Sequence, residues 1–229
     1  MKTKFSKNEK LIHHLMLKSV ELKNPGLLDG KMGLSIFFFH YARFADNDVY
    51  EELAGDLIDE LLENIHQDLP ITFASGLSGI AWGVEYLIKN GFVEGKSNEI
   101  CEELDKKIII ADPRRFEDYS LEIGLMGMIH YVLARLGSAI NQQVTIPFDK
   151  VYLQDFADAL RIALQKQEVS EADRLFQQLL SYTEREESVE YTFDICAMFE
   201  APDIKGGRMY SYPLGLNSGI AGYLLNQIS

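Results

Sequence analysis

Cysteine, proline, basic residues and long apolar runs are all scarce in this chain. Two cysteines among 229 residues cannot build a disulfide framework. No apolar stretch reaches the roughly 18 to 20 residues that a bilayer requires, and even the run from Ile36 to Ala45 is broken by His40 and Arg43. No membrane partner is expected. Lys and Arg total 22 against 35 Asp and Glu, a net charge of -13, which argues against a surface that tracks phosphates and so against nucleic acid. The opening MKTKFSKNEKLIHHLML is basic but lacks the longer apolar run and small-residue cleavage site of a signal peptide, so the cytoplasm is the expected compartment. Six prolines leave room for long helices, and 47% hydrophobic residues suffice for the core of a single domain spanning 1–229.

What is present is a repeat of glycines. Eleven of the seventeen fall in four clusters: Gly26, Gly30 and Gly33; Gly76, Gly79 and Gly83; Gly124 and Gly127; Gly215, Gly219 and Gly222. From Gly33 to Gly79 is 46 residues, from Gly79 to Gly127 is 48, and from Gly127 to Gly222 is 95, about twice the unit. One unit has therefore lost its glycines, and its helix is expected to start near Ser170, where Asp173 follows three residues on.

Behind each glycine pair comes a run that is apolar nearly all round, such as Ile80, Ala81, Trp82, Val84, Tyr86, Leu87, which predicts a buried inner helix. Between these lie one-sided stripes, such as Val49, Leu53, Leu57, Leu61 opposite Glu52, Asp56, Asp59, Glu63, which predict outer helices facing water. The expectation is an all-α protein of about five inner and outer helix pairs, with GxxG at the inner helix starts, curved into an α/α toroid or an open arc. An open arc would leave ends on which copies could oligomerise. Glycine costs about 1 kcal/mol in a helix interior relative to alanine, so its recurrence calls for close backbone packing at the inner helix starts.

The segments GLLDGKMG (26–33) and GLNSGIAG (215–222), with the shorter FASGLSG and LEIGLMG, resemble the lanthionine synthetase C-like family. That resemblance implies an α/α toroid and, for enzymatic members, a zinc held by two cysteines and a histidine that activates a peptide thiol. One ligand in those members lies in a Cys-His-Gly sequence just before the glycine pair. This chain has no Cys-His-Gly; Asp29, Ser75, Ile123 and Ser218 stand before its glycines. No metal ligand set and no cofactor is expected. Cys101 and Cys196 are read as ordinary thiols on outer helices.

The function implied is a zinc-free peptide-binding or accessory role in the maturation of ribosomally synthesised peptides, with a peptide substrate or leader, and a modifying enzyme, as partners. The alternatives are a thiol-adding cyclase with an unrecognised metal site, or a toroid hydrolase using Asp29 and Glu122 as paired carboxylates. Catalytic candidates are Asp29, Glu122 and His130. Asp29, Ser75 and Ser218 also suit helix N-caps, and a hydrogen-bonded core histidine accounts for His130. The expected ligand site gathers Asp29, Arg114, Arg115, Glu122, Arg208, Tyr212 and Asn217 in the loops before the inner helices. There, helix N-termini and basic and aromatic groups favour an anionic or polar peptide. The simpler reading of Arg114 and Arg115 is surface pairing with Asp112, Glu117 and Asp118.

Overall fold

The computed structural model describes residues 6–65, 69–166, 172–185 and 187–228. Among these, nine α-helices and three short 3-10 turns account for all the regular structure. The helices are α1 (Lys7–Ser19), α2 (Lys31–Ala45), α3 (Asp48–Glu63), α4 (Leu77–Lys89), α5 (Ser97–Ile108), α6 (Leu125–Gln142), α7 (Lys150–Gln165), α8 (Ala172–Arg185) and α9 (Ile220–Leu225). The chain divides into two compact units, one of residues 1–69 with 194–229 and one of residues 70–193.

The glycine-started helices are buried as their composition requires: every residue of α2 from Lys31 to Phe39 and of α4 from Leu77 to Leu87 is buried. Helices α3, α5 and α7 bury one stripe each, for example Ala54, Leu57, Ile58 and Leu61 in α3. Helix α3 packs on α2 and α5 on α4 as inner and outer partners. The third pairing departs from that scheme. Helix α7 packs on α8 and on the 3-10 turn Pro113–Arg115. Helix α8 fills the expected gap in the repeat, although Ser170 itself lies outside the described residues. It buries Phe176 and Leu179, so it is amphipathic rather than apolar all round.

Inner helices start at the glycines, with one correction. The N-caps are Gly30, Gly76, Gly124 and Gly219 themselves, and none has a side-chain cap. Asp29, Ser75 and Ser218 stand one residue before the cap position. The first helical N–H is taken instead by a carbonyl seven residues upstream: Lys31 to Asn24 (2.8 Å), Leu77 to Pro70 (2.9 Å), Leu125 to Asp118 (2.9 Å) and Ile220 to Pro213 (2.8 Å). Each preceding loop thus coils beneath the helix end and satisfies with backbone what a cap would satisfy with a side chain. The glycines follow from that coil, because a Cβ on Gly30, Gly76 or Gly124 would run into the carbonyl of the same upstream residue.

The second glycine of two of the pairs, Gly33 and Gly127, faces a neighbouring repeat. A Cβ on Gly127 would collide with the Leu121 carbonyl and the Phe73 side chain, and one on Gly33 with the Leu27 carbonyl and Leu216. Phe73 and Leu216 each lie three residues before an N-cap glycine, so one repeat wedges a side chain against the next at the same place. The main chain repeats the pattern. The Glu122 carbonyl accepts from the N–H groups of Phe73 (3.0 Å) and Ala74 (2.9 Å), and the Leu28 carbonyl from those of Leu216 (2.7 Å) and Asn217 (3.0 Å). Accordingly, α9 packs on α2 in the first unit, and the C-terminal repeat meets the first as the second meets the third.

In the second unit a buried polar cluster ties three helices together. Arg135 of α6 is fully buried and spends all five of its N–H donors. They reach Asp105 (3.2 and 2.5 Å), Glu85, Ser97 (3.2 Å) and Asn98 (3.1 Å), while Tyr131 donates to Asp105 at 2.6 Å.

Candidate functional site

The slot before each N-cap glycine is outward-facing: Asp29, Ile123 and Ser218 are exposed and Ser75 half-buried, while the glycines that follow are buried. Ser218 adopts a left-handed backbone (φ 52), which turns the chain into α9. In the first unit Asn217 is half-buried and its side-chain oxygen accepts from the Glu200 N–H at 3.4 Å. Asp29, in the loop before α2, has its backbone close against Gly215 in the loop before α9. Tyr212 is half-buried and reaches the Asp203 carbonyl at 3.5 Å. The Arg208 side chain is outside what the structure describes.

In the second unit Arg114 pairs with Asp112 (2.9 Å) and with Asp155 of α7 (3.0 Å), and the exposed Arg115 lies 3.7 Å from Asp112. The hydrogen bond and charge of Arg114 hold the Asp112 carboxyl below its ordinary range. The surface-pairing reading of this loop holds for Asp112, with Asp155 as a partner from α7. Glu122 is exposed and contributes its backbone carbonyl to the joint between repeats. The expected anion pull of the helix N-termini is also reduced, because their first N–H groups are already occupied by loop carbonyls. Asp29 and Glu122 belong to different units.

His130 is the predicted residue with the most developed surroundings. It sits on α6 one turn past Gly127 and is part-buried, its ring 5.9 Å from that of Phe73. Its Nδ1 is 2.7 Å from the Tyr191 hydroxyl, and Trp82 Nε1 donates to the same hydroxyl at 2.7 Å. Burial holds the imidazole down to about 4, so the ring is neutral near pH 7. An indole only donates, hence the Tyr191 hydroxyl accepts from Trp82 and donates to His130 Nδ1, which leaves the ring proton on Nε2.

The sequence reading missed Tyr191 and its neighbours. The segment around Cys196 was expected to be an outer helix. The residues from 187 to 194 instead have no regular secondary structure and are followed by a 3-10 turn at Ile195–Met198. Val189, Tyr191 and Phe193 turn inward in alternation with exposed Glu190, Thr192 and Asp194. Phe193 packs on Trp82 (5.4 Å between ring centroids) and Tyr86 (6.2 Å). The signal was a period of two, which is a strand-like pattern.

The two thiols lie in different units. Cys101 is fully buried on α5, and desolvation raises its pKa, against the thiolate that a metal requires. Cys196 is half-buried in the other unit. Among the described residues no group of three or more His, Cys, Asp or Glu is placed to hold a metal ion. A buried thiol of raised pKa is a poor donor for the family's zinc.

Glycine-started buried helices, amphipathic partners and outward slots at the helix starts define an all-α repeat protein whose candidate chemistry lies in the loops that open its inner helices. The family is identified by a model of lanthionine synthetase C-like proteins, which matches residues 21–188; the chain belongs to that family, whose fold is the α/α toroid. A search of curated proteins gave no match. Among the described residues no helix is long and apolar enough to cross a membrane.

Proposed function

We propose that this protein is a zinc-independent, peptide-binding member of the lanthionine synthetase C-like family, acting as an accessory in the maturation of ribosomally synthesised peptides. It holds a substrate or leader while a partner enzyme modifies it. The observation that carries this reading is the filling of the outward slots, where Asp29, Ser75, Ile123 and Ser218 offer hydrogen bonds and one apolar contact but no thiol or imidazole. Such a set binds polar peptide groups and does not activate a thiol. The binding residues are assigned by unit: Asp29, Arg208, Tyr212 and Asn217 in the first, and Arg114, Arg115 and Glu122 in the second. The protein works in the cytoplasm, where thiols stay reduced.

Calorimetry with the precursor peptides of the pathway, run with and without a chelator, tests this. Saturable binding that a chelator leaves unchanged and that Asp29→Ala with Asn217→Ala weakens is expected. Binding that needs one zinc per chain would replace the accessory reading with the cyclase.

A further inference from the structure

The segment 187–193 is attached to the second unit through its side chains. Among the described residues, no hydrogen bond between its main chain and another main-chain group occurs. Its attachment is through alternate side chains. Val189 and Tyr191 lie along α6 at Gly137, where an added Cβ would sit 3.8 Å from Tyr191 and 3.9 Å from Val189, ordinary contact distances. Tyr191 bonds to Trp82 and His130, and Phe193 packs against the stacked rings of Trp82 and Tyr86. The outward residues Glu190 and Thr192 are exposed. This is how an extended peptide sits on a helical surface: side chains fill sites on one face and the other face stays in water.

We propose that the face of α4 and α6 bearing Trp82, Tyr86 and His130 is a docking site for an extended peptide with a tyrosine flanked at two residues by apolar side chains, and that residues 189–193 occupy it as an internal competitor. The ligand class follows from the occupant. Trp82 Nε1 and His130 Nδ1 form a donor and an acceptor that a phenol hydroxyl satisfies together, and leaving both unmet in an apolar setting is costly. A phenylalanine at that position would leave them unmet, so tyrosine is selected. Gly137 gives the incoming backbone room beside α6. An internal competitor lowers the apparent affinity for a peptide in trans by the fraction of time the site is closed. The inference rests on the peptide-binding reading above and locates a second contact for the bound chain.

The test uses the full chain and an octapeptide of its own sequence, ESVEYTFD (187–194), labelled for anisotropy. Trp82 is the only tryptophan, so its emission reports the site directly. In Tyr191→Ala with Phe193→Ala, the octapeptide is expected to bind at least ten-fold tighter than to the parent and to shift Trp82 emission. The same peptide with phenylalanine for its tyrosine is expected to bind at least ten-fold more weakly. Equal binding to parent and variant, or none to a variant whose circular dichroism matches the parent, would overturn the proposal. Should the variant fail to fold, the milder Tyr191→Phe decides: octapeptide binding at least three-fold tighter than to the parent supports the proposal, and unchanged binding overturns it. Binding of the octapeptide without any pathway precursor would refute the accessory function but not this site. Binding of the precursor without the octapeptide would do the reverse.

Discussion

Replacing Gly127 by alanine adds a single methyl group, yet the structure gives that methyl no room. Its Cβ would meet the Leu121 carbonyl, which is fixed by the coil beneath α6, and the Cβ of Phe73, which cannot swing away without moving its own backbone. Neither neighbour is the far end of a flexible side chain, so the repeats must separate locally. Overpacking of this kind costs about 1 to 3 kcal/mol, partly offset by the gain of about 1 kcal/mol that alanine brings to a helix interior. A control isolates the propensity effect: Gly55 in α3 is also a helical glycine, and a Cβ there meets nothing within 4 Å. Gly55→Ala should therefore stabilise by about 0.4 to 1 kcal/mol while Gly127→Ala destabilises. In a domain this size 1 kcal/mol moves the melting temperature by about 2 to 4 °C, so the two variants should shift in opposite directions in thermal denaturation followed by circular dichroism. A Gly127→Ala protein that melts with or above the parent would refute the claim that the repeated glycines exist to seat the neighbouring repeat.

Further outcomes are expected in the second unit. Arg135→Met leaves Asp105 and Glu85 buried without their cation, a loss of about 3 to 5 kcal/mol measurable by urea unfolding, and a change under 1 kcal/mol would contradict the role of that cluster. His130 has a folded pKa of about 4 against an ordinary 6.5, so the unfolded chain takes up its proton first on acidification. Its contribution to stability is complete above pH 6.5 and is lost as pH falls toward 4, by up to about 3 kcal/mol. Stability that is flat across that window, or a slope unchanged in His130→Gln, would speak against it. Burial raises the Cys101 thiol pKa, and iodoacetamide should leave Cys101 unmodified in the native protein and label it only on unfolding; rapid native labelling would mean that α5 opens.

The inner helices could be placed from the 46- to 48-residue glycine period because each start needs the same two residues without side chains. Their capping could not be read in the same way. The carbonyls that close the helix starts belong to Asn24, Pro70, Asp118 and Pro213, which share a position and no side-chain chemistry. Asp29, Ser75 and Ser218 look like caps by residue type, but the cap position falls on the glycine after each, and the coiled loop takes up the first helical N–H with backbone. Tyr191 was missed because a period-two pattern only five residues long was absorbed into the expected helix around Cys196. Arg135 stood in view as the one charge inside the apolar run from Tyr131 to Ala139, and its partners, Glu85 and Asp105, lay 50 and 30 residues away, too far for any local pattern to reveal.

The central claim is that this member of the family binds peptide without a metal. Titration calorimetry of the chelator-treated protein with the pathway's precursor peptide tests it most directly, with elemental analysis of the same sample. The account predicts saturable binding to a protein that carries no zinc, reduced in Asp29→Ala with Asn217→Ala and unaffected by Glu52→Ala on the exposed face of the outer helix α3. Binding that appears only on adding zinc, at one ion per chain, would contradict it.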